Sequence, residues 1–168
     1  TLWTGEGNDI ISIRSVGDTT VWAGEGDDSI HVGSLAPSMG GLADGIWGHL
    51  VVYGEEGDDT LHVDDSGDSA SNSGTLTADM ITGLGMAGDI TYESVEDLTV
   101  FLGTGSDTLV IGSPMIGAPR VFAQGGGDGF DLLIGPDVNS TWHITGDDAG
   151  DIDGPGVFRF ESFENLMG

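Results

Sequence analysis

Short runs of alternating apolar and polar residues recur along the chain, each preceded by a glycine-rich acidic turn. Ile11-Ser12-Ile13, Ile30-His31-Val32 and Leu61-His62-Val63 are the clearest of these runs. An alternation of period two turns one face of an extended strand to a core and the other to solvent. None of the repeated segments carries the i, i+3, i+4 stripe of an amphipathic helix. The pattern therefore predicts an all-β chain of short strands and tight turns.

The runs are copies of one another. Thr1–Ile13 aligns without gaps on Thr20–Val32 at an offset of 19, setting Trp3 over Trp22, Gly5 over Gly24, Gly7 over Gly26 and Asp9 over Asp28. A third copy, Val51–Val63, has Tyr53 in the tryptophan slot, one extra turn residue, and Gly57, Asp59 and Leu61 in register. A fourth, Val100–Ile111, carries Gly103, Gly105, Asp107 and Leu109, and a fifth runs from Gly126 through Gly127, Gly129 and Asp131 to Leu133. The in-register aspartates are separated by 19, 31, 48 and 24 residues. The second interval contains residues 33–48, expected to loop out, as are residues 64–74. The third interval predicts further strands at Gly74–Thr77, Met80–Thr82 and Ile90–Tyr92, and the tail predicts two more at Trp142–Ile144 and Val157–Phe160.

A strand, a turn and a strand that recur in this way describe one coil of a stack whose neighbours pair at ~4.8 Å. The expected fold is a right-handed parallel β-helix or β-roll-like solenoid of about seven to nine coils, one domain over residues 1–168. Because the chain starts and stops within repeats, it is expected to be a fragment of a longer array.

Composition narrows the chemistry. Glycine accounts for 31 of 168 residues, and 29 acidic residues face three arginines and no lysine, for a net charge of −26. Such self-repulsion opposes compactness unless something neutralises it, which makes divalent cations the natural partner. The charge argues against nucleic acid and anionic membrane surfaces as partners, since both need clustered basic residues. No apolar stretch approaches the ~18 residues of a membrane span. There is no cysteine, so no disulfide or thiolate chemistry.

The turn reads x-Gly-x-Gly-x-Asp-x-apolar. Its glycines allow positive φ and turn carbonyl oxygens to one side. In a stack, the aspartates of successive turns come alongside and repel by roughly 1 kcal/mol per pair in water. A cation between turns converts that repulsion into coordination. Calcium takes ~6–8 oxygens from carboxylates and carbonyls, which this turn supplies; zinc would want histidine or cysteine, which it lacks. The candidate metal ligands are Gly5, Gly7, Asp9, Gly24, Gly26, Asp28, Gly57, Asp59, Gly103, Gly105, Asp107, Gly127, Gly129 and Asp131. Glu6, Asn8, Glu25, Asp27, Glu56, Asp58 and Asp128 stand beside them as ligands or as added negative field.

These turns resemble the RTX (hemolysin-type) calcium-binding repeat, Gly-Gly-x-Gly-x-Asp-x-apolar. Gly126, Gly127, Gly129, Asp131 and Leu133 match it in full, and the copies ending in Asp9, Asp28 and Asp107 match all but the first glycine. The resemblance implies bound Ca2+, folding after secretion to the outside of a bacterial cell, and a spacer or adhesin-like role beside neighbouring repeats or a surface polysaccharide. RTX blocks run their repeats in tandem with two turns per coil. One glycine–acid turn per coil, as here, implies a single calcium edge, with its best-paired site between Asp9 and Asp28.

Other features are weaker. Asp64-Asp65-Ser66-Gly67-Asp68 reads equally as a cation loop or a solvated turn. His31 and His62 fall in equivalent, outward-facing slots, whereas His49 and His143 have no recognisable partners. Trp3, Trp22 and Tyr53 recur in register and read as like-on-like packing, with sugar binding as the alternative. An enzyme acting on uronates would need a base and convergent cations. Arg14, Arg120 and Arg159 stand in separate segments, so a non-catalytic role is expected, with a carbohydrate-binding module as the alternative.

Overall fold

A computed structural model of the chain describes residues 1–112, 115, 117–153 and 157–168. It is all-β, with seventeen strands among the described residues: β1 (Leu2–Trp3), β2 (Ile10–Ile13), β3 (Thr19–Glu25), β4 (Ser29–Val32), β5 (His49–Glu56), β6 (Thr60–Asp64), β7 (Ser73–Leu76), β8 (Met80–Gly83), β9 (Asp89–Glu93), β10 (Asp97–Phe101), β11 (Thr108–Ile111), β12 (Arg120–Gln124), β13 (Leu132–Ile134), β14 (Thr141–Gly146), β15 (Ala149–Asp153), β16 (Val157–Glu161) and β17 (Asn165–Met167). They form a nine-stranded sheet in the order β1-β3-β5-β9-β8-β7-β11-β13-β17 and an eight-stranded sheet in the order β14-β15-β16-β12-β10-β6-β4-β2.

Each strand exists because its alternate residues have somewhere to go. In the eight-stranded sheet, Ile11, Ile30, Leu61, Leu98, Val121 and Phe158 fall in one register row, and Ile13, Val32, Val63, Val100, Ala123 and Phe160 in the next. In the nine-stranded sheet the corresponding row is Leu50, Ile90, Ile81, Leu76 and Ile111. All of these are buried, and the inward residues of both sheets belong to one core. Each large aliphatic buried there contributes about 1.5–3 kcal/mol relative to exposure.

The expected right-handed parallel β-helix or β-roll-like solenoid is not what forms. Both sheets are open and mixed. β8 runs antiparallel to β7 and β9, and β15 runs antiparallel to β14 and β16. The cause lies in the connections. Thr77–Asp79 joins β7 to β8, and Asp147–Asp148 joins β14 to β15. Links this short reverse the chain within a sheet, whereas parallel neighbours need a crossover. The remaining pairs are parallel, and the chain passes back and forth between the sheets along two seams. One carries the connections β1–β2, β3–β4, β5–β6 and β9–β10; the other carries β6–β7, β10–β11, β12–β13 and β16–β17. The connection between β4 and β5 contains a 3-10 turn at Ala43–Gly45.

Candidate metal centre

The glycine–acid turns occupy the seams, but not one seam. Asp9, Asp28 and Asp59 lie on the first, and Asp107 and Asp131 on the second. Along the first, the amide of Asp9 donates to Asp28 Oδ1 (2.8 Å), the amide of Asp28 to Asp59 Oδ1 (2.8 Å), and the amide of Asp59 to Glu96 Oε2 (2.7 Å). Along the second, the amide of Asn72 donates to Asp107 Oδ1, that of Asp107 to Asp131 Oδ1, and that of Asp131 to Glu164 Oε2, each at 2.7 Å. Each ladder residue thus grips the carboxylate of the next turn with its own N–H, and a glutamate closes each ladder. The turns expected along a single edge thus lie along two.

The ladder carboxylates are drawn inward. Asp28, Asp59, Asp107 and Asp131 are only 0–2 % exposed. One oxygen of each accepts an amide. The other, Oδ2, is buried without a partner in Asp28, Asp59, Asp107 and Asp131, and also in Asp9. A buried polar atom left unpaired costs about 1–3 kcal/mol, more if it carries charge. Burial pushes the Asp59 carboxyl up to about 6; the charges of Asp28, Glu96 and Asp27 add to the rise, and the Asp28 amide opposes it. Asp131 is likewise pushed up to about 6, by burial and by Asp107 and Glu164. Asp107 is raised by burial, with Asp68 adding to it.

The glycines are needed because successive turns pack backbone on backbone. A Cβ at Gly24 would lie 1.8 Å from the Gly5 carbonyl oxygen, and one at Gly129 would lie 1.8 Å from that of Gly105. On the first seam Gly5, Gly7, Gly24, Gly26 and Gly57 have φ between +102° and +142°; Glu55, in register with Gly24, takes φ 77° in its place. On the second seam the glycine lying over Gly103 is Gly126, and Gly127 has nothing near it. Glu6, Glu25, Glu56 and Asp128 are exposed. Asn8, Asp27 and Asp58 form an outer row of opposite polarity, in which the Asp27 amide donates to Asn8 Oδ1 and the Asp58 amide to Asp27 Oδ1, both at 3.1 Å.

Glu96 and Glu164 escape the glycine pattern. A signal for them was nonetheless present: Glu93-Ser94-Val95-Glu96 and Glu161-Ser162-Phe163-Glu164 are two copies of one tetrad. Ser94 and Ser162 adopt φ of 54° and 58°, and their carbonyl oxygens press on Gly54 and Gly125 in the same manner.

Among the described residues, two groups of three side chains bring ligand atoms within 4.8 Å of one another and could hold a metal ion: Asp44, Asp65 and Asp68, and His143, Asp151 and Asp153. The ladder aspartates meet only in succession, one turn to the next. The first group adjoins the second seam. Asp65 is 1 % exposed, and its Oδ1 accepts the Ala43 amide at 2.9 Å. Asn72 Nδ2 donates to Asp68 Oδ2 at 2.7 Å, so Asn72 links the group to the ladder. Burial, with the charges of Asp68 and Asp44, pushes the Asp65 carboxyl up to about 7. The second group gives His143 the partners that the sequence did not reveal.

On the outer face of the nine-stranded sheet, Trp3 stacks on Trp22 at 4.8 Å and Trp22 on Tyr53 at 4.0 Å. The rings turn their faces to one another, and Trp3, at the end of the stack, is 65 % exposed. His31 and His62 stack in the same way at 4.8 Å on the other sheet, and burial lowers the pKa of both. Among the described residues, no helix is long and apolar enough to cross a membrane. No family model and no curated protein matches the chain.

Proposed function

We propose that this chain binds calcium along its two carboxylate ladders and at Asp44, Asp65 and Asp68, and that calcium holds its turns together. It then serves as a non-catalytic structural or adhesion segment of a secreted or cell-surface protein. The observation that carries this reading is the set of buried, unpaired Oδ2 atoms, one on each of the five ladder aspartates. A folded chain balances such atoms with a proton or a cation. With 29 acidic residues and three arginines, the chain has almost no cationic side chains of its own to spare. Oxygen-only ligands in flexible turns favour calcium over zinc, and over magnesium with its strict octahedron. Binding to the folded chain alone stabilises it by mass action. In a calcium-poor cytoplasm the chain would be loose, and outside the cell it would be firm.

The test is a thermal melt followed by far- and near-ultraviolet circular dichroism in EGTA, at ~1 mM calcium, and at the same level of magnesium, chosen for weak extracellular sites. Calcium should raise the melting temperature and sharpen the near-ultraviolet signal of the aromatic stack, with magnesium much less effective. A melt indifferent to calcium would refute the reading.

A further inference from the structure

β14 and β15 pair antiparallel, with His143 opposite Asp151 and Thr141 opposite Asp153. Asp151 and Asp153 are two residues apart on one strand, so both carboxylates project from the same face. His143 Nδ1 lies 2.8 Å from Asp151 Oδ1 and 3.7 Å from Asp153 Oδ2. We propose that His143, Asp151 and Asp153 form a site for a divalent transition ion of the zinc class, separate from the calcium ladders.

The donor set decides the class of ion. Calcium takes oxygen ligands almost exclusively, whereas imidazole suits zinc, cobalt and their neighbours. One nitrogen and two carboxylates give three protein ligands, and the partial exposure of all three leaves a fourth position for water or an external group. His143 and Asp151 are at ion-pair distance, and Asp153 Oδ2, 3.7 Å from the same ring nitrogen, brings a second carboxylate to it, so that three ligand atoms converge on one point. Arg159 is in register with Asp151 from the opposite side, yet among the described residues it makes no ion pair with it. The Asp151 carboxylate is thus directed to His143. His49 and Asp89, which also meet through Nδ1 and a carboxylate, provide an internal comparison, because among the described residues no third ligand joins them. The site has a mechanical role. β14 is the edge strand of its sheet and its side chains are mostly exposed, so an ion bridging His143 to β15 fastens it.

The experiment is a titration of the calcium-saturated protein with Co2+, read by its visible d–d absorption, followed by displacement with Zn2+. One cobalt ion per chain should bind with the spectrum of a nitrogen–oxygen site, and zinc should abolish it. H143A and D153N should each weaken binding by about tenfold or more, while D89N should leave it unchanged. D153N is the decisive variant, since Asp153 is exposed and an ion pair between His143 and Asp151 survives its loss. No cobalt spectrum, equal binding by D153N and the parent, or displacement of cobalt by excess calcium would each overturn the proposal. None of these outcomes depends on whether the ladders bind calcium.

Discussion

Asp59→Asn should change the sign of its effect with calcium. The Asp59 side chain is wholly out of solvent; Oδ1 holds the Asp28 amide and Oδ2 has no partner. Without metal the ionised form is the unfavourable one. Folding raises the pKa from 3.8 to about 6, so at pH 7.5 the charge costs about 3 kcal/mol relative to the unfolded chain. Asparagine keeps the oxygen that accepts from Asp28 and removes the charge, but its buried NH2 returns about 1–2 kcal/mol of that gain. In EGTA the variant should therefore be more stable than the parent by about 1–2 kcal/mol, or about 3–6 °C in melting temperature. With calcium at ~100 times its dissociation constant, the parent gains about 2.7 kcal/mol at this site and the variant forgoes it. The variant should then melt below the parent by about 2–4 °C. Parallel melts by circular dichroism in EGTA and in calcium give both numbers. If the variant melts above the parent by the same margin in both buffers, the orphaned oxygen holds no cation and the ladder reading is wrong.

The metal-free protein should lose stability as pH rises. Asp59 and Asp131 at about 6, and Asp65 at about 7, keep protons in the folded state that the unfolded chain releases near 4. Their stabilisation is complete below about pH 4 and gone above about 7, and is only partly offset by His31 and His62, whose lowered pKa acts oppositely. The urea midpoint in EGTA should fall between pH 4.5 and 7.5; a rise would sink this account. Gly24→Ala, forced to φ 111° against the Gly5 carbonyl, should cost more than about 2 kcal/mol, and Gly127→Ala less than about 0.5. Equal urea midpoints for the two would show that the turns do not pack as described. Glu164→Ala strips the Asp131 amide of its acceptor and should cost about 1–2 kcal/mol, with faster hydrogen exchange at that amide. Unchanged protection there would mean that the glutamate does not close the ladder.

What the sequence made legible was local. Trp3, Trp22 and Tyr53 fall in the register that the repeat predicts, as do His31 with His62 and Ile11 with Ile30 and Leu61. Strands were also foreseen near β7, β8, β9, β14 and β16. Their direction was not. Period-two alternation reports burial on one face and is blind to which way the strand runs, so the reversal at β8 was hidden, and β15 has too little alternation to be read as a strand at all. Asp147 and Asp148 turn the chain from β14 into β15 without a signal that alternation could supply, and with β15 went the partners of His143. The glycine–acid turn also reads alike whether the chain is passing from the nine-stranded sheet to the eight-stranded one or back. Asp59 and Asp107 could not be assigned to different seams from composition or spacing. The antiparallel excursion β7–β9 lies between those two turns.

Because every rung hands its amide to the next carboxylate, fixing one rung orients the backbone of its neighbour, and occupancy should spread along a ladder with a Hill coefficient above one. The two ladders share no rung. The first serves the turns from Asp9 to Glu96 and the second those from Asn72 to Glu164, overlapping in the chain only around β7–β9. On the proposed function, a rising calcium concentration would therefore meet two cooperative units in series. Between their midpoints one half of the molecule would be stiff while the other still gave, so a chain that binds calcium as proposed would have three mechanical states rather than two.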